Sequence, residues 1–141
     1  MSLKAKVEQA IAAVLADAGI TADVFLGFDS DEQTRPCVAC IGTQGEEDPL
    51  DTGNYWFTCR ALVKSNADRQ DAEDPAAIHA ALAADVDEAL NVDDLAELLS
   101  DATDDFHCLG VRARRWEPDT NGRSFTEAFV FEAAVVNQDL A

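Results

Sequence analysis

Positive charge is what this chain has least of. Against 28 acidic residues it sets 10 basic ones, only Lys4, Lys6 and Lys64 being lysine, for a net charge of −18. Such a surface repels phosphate backbones and anionic lipid, which argues against electrostatic binding of nucleic acid or membranes. Long apolar runs are missing too: no segment reaches the roughly 18 consecutive apolar residues of a membrane span. In "MSLKAKVEQAIAAVLADAG" charge recurs where a signal peptide would hold its apolar stretch, so synthesis in the cytoplasm is expected. There is no glycine-rich phosphate loop, no Gly-x-Ser-x-Gly elbow and no His-Glu-x-x-His, so no catalytic residue, cofactor or metal is assigned.

What the chain does have is enough apolar material for a core. Its 141 residues are 48% hydrophobic, the size and composition of one ordinary soluble domain spanning residues 1–141. Leu3, Val7, Ala10, Ile11, Val14, Leu15 and Ala18 recur at three and four, which predicts a helix stopped by Gly19. "ADVFLGFD", residues 22–29, reads as a short strand with Val24, Leu26 and Phe28 on one side. "CVACIGT" opens a second strand after Pro36, and the polar run 44–53 reads as a long loop. The alternation in "GNYWFTCRALVKSN" is the clearest strand signal, with Tyr55, Phe57, Cys59, Ala61 and Val63 on one face and Trp56, Thr58, Arg60, Leu62 and Lys64 on the other. A helix from Pro75 to about Leu90 should turn Ile78, Leu82, Val86, Ala89 and Leu90 inward, leaving His79 at its surface or boundary. "DDLAELLS" continues as a shorter helix.

Four cysteines raise the question of a metal or redox site. Cys37 and Cys40 form a Cys-x-x-Cys, but in an extended segment an odd separation points the two side chains to opposite faces. Cys59, Cys108, His79 and His107 are scattered singly, without the paired spacing of a zinc site. Structural thiols are expected, with one of the adjacent His107 and Cys108 facing the core and the other solvent.

The last third reads as a hairpin. "FHCLGVRARRWEP" and "RSFTEAFVFEAAVVN" flank Asn121-Gly122, a strong turn signal, and Phe125, Phe129, Phe131, Ala133 and Val135 share one apolar side. Arg112, Arg114, Arg115 and Arg123 gather four of the 10 basic residues near this turn. Glu117, Glu127 and Glu132 are natural cross-strand partners on what should be a solvated sheet face. The acidic clusters lack the central glycine and terminal glutamate of a calcium loop and read as solvated turns. Taken in order, these elements give an α+β fold: a mostly antiparallel sheet of about five strands, with an N-terminal helix and a central helix pair packed on it.

The succession of an amphipathic helix, "VFLGFDSDEQTRPCVACIGTQGEEDPLDTGNYWFTCRALVKSNAD", the helices "IHAALAADVDEAL" and "LAELLS", "FHCLGVRARRWEP" and "SFTEAFVFEAAVVN" resembles the tail-completion proteins of long-tailed bacteriophages, in particular tail terminators. The resemblance spans nearly the whole chain and rests on the order and texture of elements. It implies a non-catalytic virion protein that forms a homo-oligomeric, generally hexameric ring, caps the head-proximal end of the tail tube and joins it to the head connector. Its partners would be the tail tube protein and the neck proteins, with DNA passing through unbound. A carboxylate-rich bore would let DNA slide, with Asp29, Asp31, Glu46 and Glu47 as rim or channel candidates. Arg112, Arg114, Arg115 and Arg123 are then expected at a subunit interface or paired with carboxylates. The rival readings are another connector or tube protein, and a small cellular ligand-binding or enzymatic domain.

Overall fold

The computed structural model describes residues 3–20, 22–27, 37–47, 54–66, 75–104, 106–118 and 124–137. The helical stripe of Val7, Ala10, Ile11, Val14 and Leu15 is buried along α1 (Leu3–Asp17). Gly19, at φ 84°, ends it. The Gly19 N–H donates to the Ala16 carbonyl and the Ile20 N–H to that of Leu15, satisfying carbonyls the helix leaves open.

Among the described residues five strands follow, β1 (Asp23–Leu26), β2 (Cys37–Glu47), β3 (Asn54–Asn66), β4 (Phe106–Pro118) and β5 (Ser124–Asn137), with α2 (Pro75–Leu90) and α3 (Leu95–Asp101) between β3 and β4. They form one sheet in the order β1-β2-β3-β5-β4. β2–β3, β3–β5 and β4–β5 are antiparallel, whereas β1 lies parallel to β2, so the sheet is mixed.

Three expectations need correcting at this level. β1 stops at Leu26, because Gly27 takes φ 79° and donates its N–H to the Cys40 carbonyl; Phe28 lies outside the described residues. Residues 44–47, read as loop, continue β2, since their polar sequence still pairs with β3 up to Glu47 opposite Tyr55, across a register shift. And the stripe of α2 begins one residue later than the sequence pattern suggested: Ile78 is 40% exposed, while His79 is buried with Leu82, Val86 and Leu90.

The core lies between the helices and one sheet face. Phe57, Cys59, Ala61 and Val63 of β3 meet Phe129, Phe131, Ala133 and Val135 of β5 under α1, α2 and α3. Phe129 is central, its ring 5.5 Å from that of Trp116 and 5.9 Å from that of Phe131. Trp116 in turn donates its indole N–H to Asp87 of α2 at 2.8 Å, so one aromatic row ties the sheet to a helix. The opposite sheet face is not simply solvated, since Cys37, Ala39, Ile41 and Val130 on it are fully buried and Lys64 is buried as well.

β1 pairs with β2 only as far as Cys40. Just beyond, the Gly42 N–H donates to the Glu8 carboxylate of α1 at 2.9 Å, and Lys4 donates to the same oxygen at 2.6 Å. A buried carboxylate thus takes over where the edge strand ends, satisfying an amide that burial would otherwise penalise.

Candidate functional site

All four cysteines are buried thiols. Cys37 and Cys40 lie on opposite faces of β2 as alternation requires, and only Cys40 joins the helix-side core. Burial, with Glu8 nearby, pushes the Cys40 thiol up to about 12. Burial also raises Cys59, helped by Cys108, Cys40 and Glu8, and burial raises Cys108. Neutral thiols of this kind are poor nucleophiles and poor metal ligands. Among the described residues, no group of three or more His, Cys, Asp or Glu is placed to hold a metal ion. His107 is exposed and Cys108 buried, the alternation the strand dictates.

One hydrogen-bonded set was missed by the sequence pattern. His79 Nδ1 lies 3.1 Å from Ser65 Oγ and Nε2 lies 3.1 Å from Glu127 Oε1, joining α2 to β3 and β5. An ionised Glu127 places the proton on Nε2, so Nδ1 accepts from the Ser65 hydroxyl. The order serine, histidine, carboxylate invites a hydrolytic reading, but Ser65 is only 3% exposed, and the ring nitrogens are used in the reverse sense to the familiar triad. The set works as a buried polar clasp. Replacing His79 by Ala should cost about 1–3 kcal/mol by leaving buried polar partners unsatisfied, measured by urea unfolding. A cost below a few tenths would show that the clasp contributes nothing. The signal available in sequence was the spacing His79, Leu82, Val86, Leu90, which is a helical stripe once histidine is admitted to it.

The arginines gather on β4, an edge strand. Arg112 donates to Glu132 at 2.8 Å and its guanidinium stacks 3.6 Å from the Trp56 ring centre. Arg115 donates to Glu117 at 2.9 Å. Arg112 and Arg115 pair in register with Glu132 and Val130, which sets them on the face turned away from the helices, while Trp116 opposite Phe129 turns inward. Between them the register shifts at Ala113, held at φ 57°, a left-handed conformation that alanine adopts only under constraint. Arg114 makes no ion pair among the described residues, and Leu109 on the same strand is 58% exposed. Arg123 lies outside the described residues.

Of the carboxylates put forward for a DNA path, Asp29 and Asp31 also lie outside the described residues, and Glu46 and Glu47 belong to β2 with their side chains not described. The structure brings other carboxylates together, at a cleft of about 320 Å³ between the three helices. Val14, Ala89, Val92 and Leu98 form its apolar floor, and Asp17, Glu88, Asp94 and Asp101 stand around it. Among the described residues, no helix is long and apolar enough to cross a membrane. No protein-family model matches the chain, and no curated protein matches it either.

Proposed function

We propose that the chain is a non-catalytic virion subunit, a tail terminator or related neck protein that closes into a ring, generally of six copies, between the tail tube and the head connector. The observation that carries this reading is β4. It is a 13-residue strand at the edge of the sheet, with Arg112, Arg114 and Arg115 along it and Leu109 bare. A long edge is a template for another chain. Arginines on it disfavour a two-fold contact of β4 with itself, because like charges would meet. They favour a head-to-tail contact with a carboxylate-rich neighbour, and a chain of net charge −18 has carboxylates in excess to supply it. A head-to-tail contact that closes on itself makes a ring. The surplus of negative charge then suits a conduit that DNA must traverse without adhering, with Asp29, Asp31, Glu46 and Glu47 at the bore or its rim.

Sedimentation and negative-stain electron microscopy of the purified protein test this. Closed rings are expected for the wild type, and Arg114→Glu should shift the population toward monomer at equal concentration. Exchanging Asp29, Asp31, Glu46 and Glu47 for lysine should leave rings that retain DNA in a gel shift and release it as salt rises. A chain that stays monomeric both alone and mixed with purified tail tubes would overturn the proposal.

A further inference from the structure

We infer that the cleft between α1, α2 and α3 is a docking groove for a basic amphipathic helix of a different protein, a reading that holds whether or not the subunit forms rings. Two independent features point there. The first is the shape and chemistry of the floor: Val14 from α1, Ala89 from α2 and Leu98 from α3 form it, with Val92 between the last two helices, in an open volume of about 320 Å³. Small and branched side chains at the junction of three helices leave room for the apolar stripe of a fourth, in the manner of helix-in-groove recognition.

The second is an electrostatic arrangement that a cationic partner would complement. None of the three helices has a basic residue in its last turn. Each instead places a carboxylate there, Asp17, Glu88 and Asp101, and all three line the cleft together with Asp94. The C-terminal end of a helix carries partial negative charge, so a cation suits the last turn better than a carboxylate does. Asp85 and Glu88 extend the same charge into the neighbouring depression beside Gly19 and Ile20. An incoming helix with lysine or arginine flanking an apolar stripe would meet these carboxylates at several points at once.

A second copy of this chain does not meet that description. Among the described residues its helical cations are Lys4 and Lys6 of α1, Lys4 being bound to Glu8, and α2 and α3 contain none. The arginines of β4 are presented from a sheet, beside Glu132 and Glu117, and not along an apolar helical stripe.

The probe is an 18-residue Leu/Lys peptide with leucine at helical spacing, set against a Leu/Glu peptide of the same pattern. Binding is followed by fluorescence anisotropy and by amide chemical shifts of the labelled protein. The Leu/Lys peptide should bind, move amide signals around Ala18, Ala89, Leu98 and Ala102, and weaken at least tenfold in two variants. Asp17→Lys with Glu88→Lys reverses the rim, and Ala18→Trp fills the cleft from an exposed position. A control of equal charge change, Asp23→Lys with Asp104→Lys, should alter affinity less than threefold. Equal loss in the control and the rim variant, or full affinity in Ala18→Trp, would mean that the peptide merely adheres to an acidic surface, and would overturn the proposal. So would equal binding of the Leu/Glu peptide.

Discussion

Between pH 8 and pH 11 the free energy of unfolding should fall by about 3 kcal/mol through the Cys40 thiol, with Cys59 acting in the same direction. Both groups are neutral in the fold and in the unfolded chain below their ordinary value of 9.0, so their contribution is fully present there. Above it the unfolded chain gives up their protons, while the folded protein keeps them, since burial holds Cys40 neutral to about 12 and raises Cys59 as well. The unfolded state then binds fewer protons than the native one, and stability drops by about 1.4 kcal/mol per pH unit for each thiol. Against a typical total of about 5–15 kcal/mol this is a large share of a marginal domain's stability. Urea titrations at half-unit steps, with reductant present, measure the slope. A variant with Cys40→Ala and Cys59→Ala loses core volume and starts less stable at pH 7, but its slope should be shallower by at least the one proton of Cys40. Parallel slopes for the two proteins would show that ionisation of these thiols is not what the fold resists.

The same interior shows what could be read from sequence and what could not. β3 was legible because it is packed hard on one side, so Phe57, Cys59, Ala61 and Val63 alternate with more exposed neighbours and the period of two survives in the letters. α1 was legible for the matching reason at a period near 3.6. The end of β2 was not, because its polar residues are held by pairing with β3, a partner some ten residues further on that no local pattern announces. The parallel pairing of β1 was equally silent, since strand direction is a property of the connection and not of the strand.

At the level of sites, hydrophobic pattern misled at His79, which counts as polar in any periodicity yet is buried because Ser65 and Glu127 receive both ring nitrogens. The acid-rimmed cleft was invisible for a different reason. Asp17, Glu88 and Asp101 are ordinary surface carboxylates in their own helices, and only the packing of three helix ends makes them neighbours. Their signature in the sequence was an absence, the lack of any lysine or arginine in three successive final turns.

Truncating Phe129 to Ala should destabilise the protein by about 3–5 kcal/mol, the cost of removing a buried ring and leaving a cavity behind it. The site cannot collapse easily, since β4 and α2 are fastened on either side. Trp116 packs on Phe129 at 5.5 Å while its indole N–H is bound to Asp87, so the indole cannot move into the void without breaking that bond. Phe131, 5.9 Å away on the same strand, is itself fully buried and fixed by the sheet. The two ring contacts add about 0.5–1.5 kcal/mol each to what area alone supplies. Phe129→Leu keeps most of the volume and should recover more than half of the loss. Arg112→Ala provides the contrast: it removes an exposed ion pair and an exposed stack on Trp56, worth about 1 kcal/mol together, because solvent screens both. Guanidinium unfolding with near-ultraviolet circular dichroism of Trp116 reads all three variants. If Phe129→Ala cost no more than Arg112→Ala, the helix-side core would not be what holds the sheet. With the expected order, the interior alone sustains the subunit, and the arginine edge and acidic cleft are free to serve contacts with other molecules.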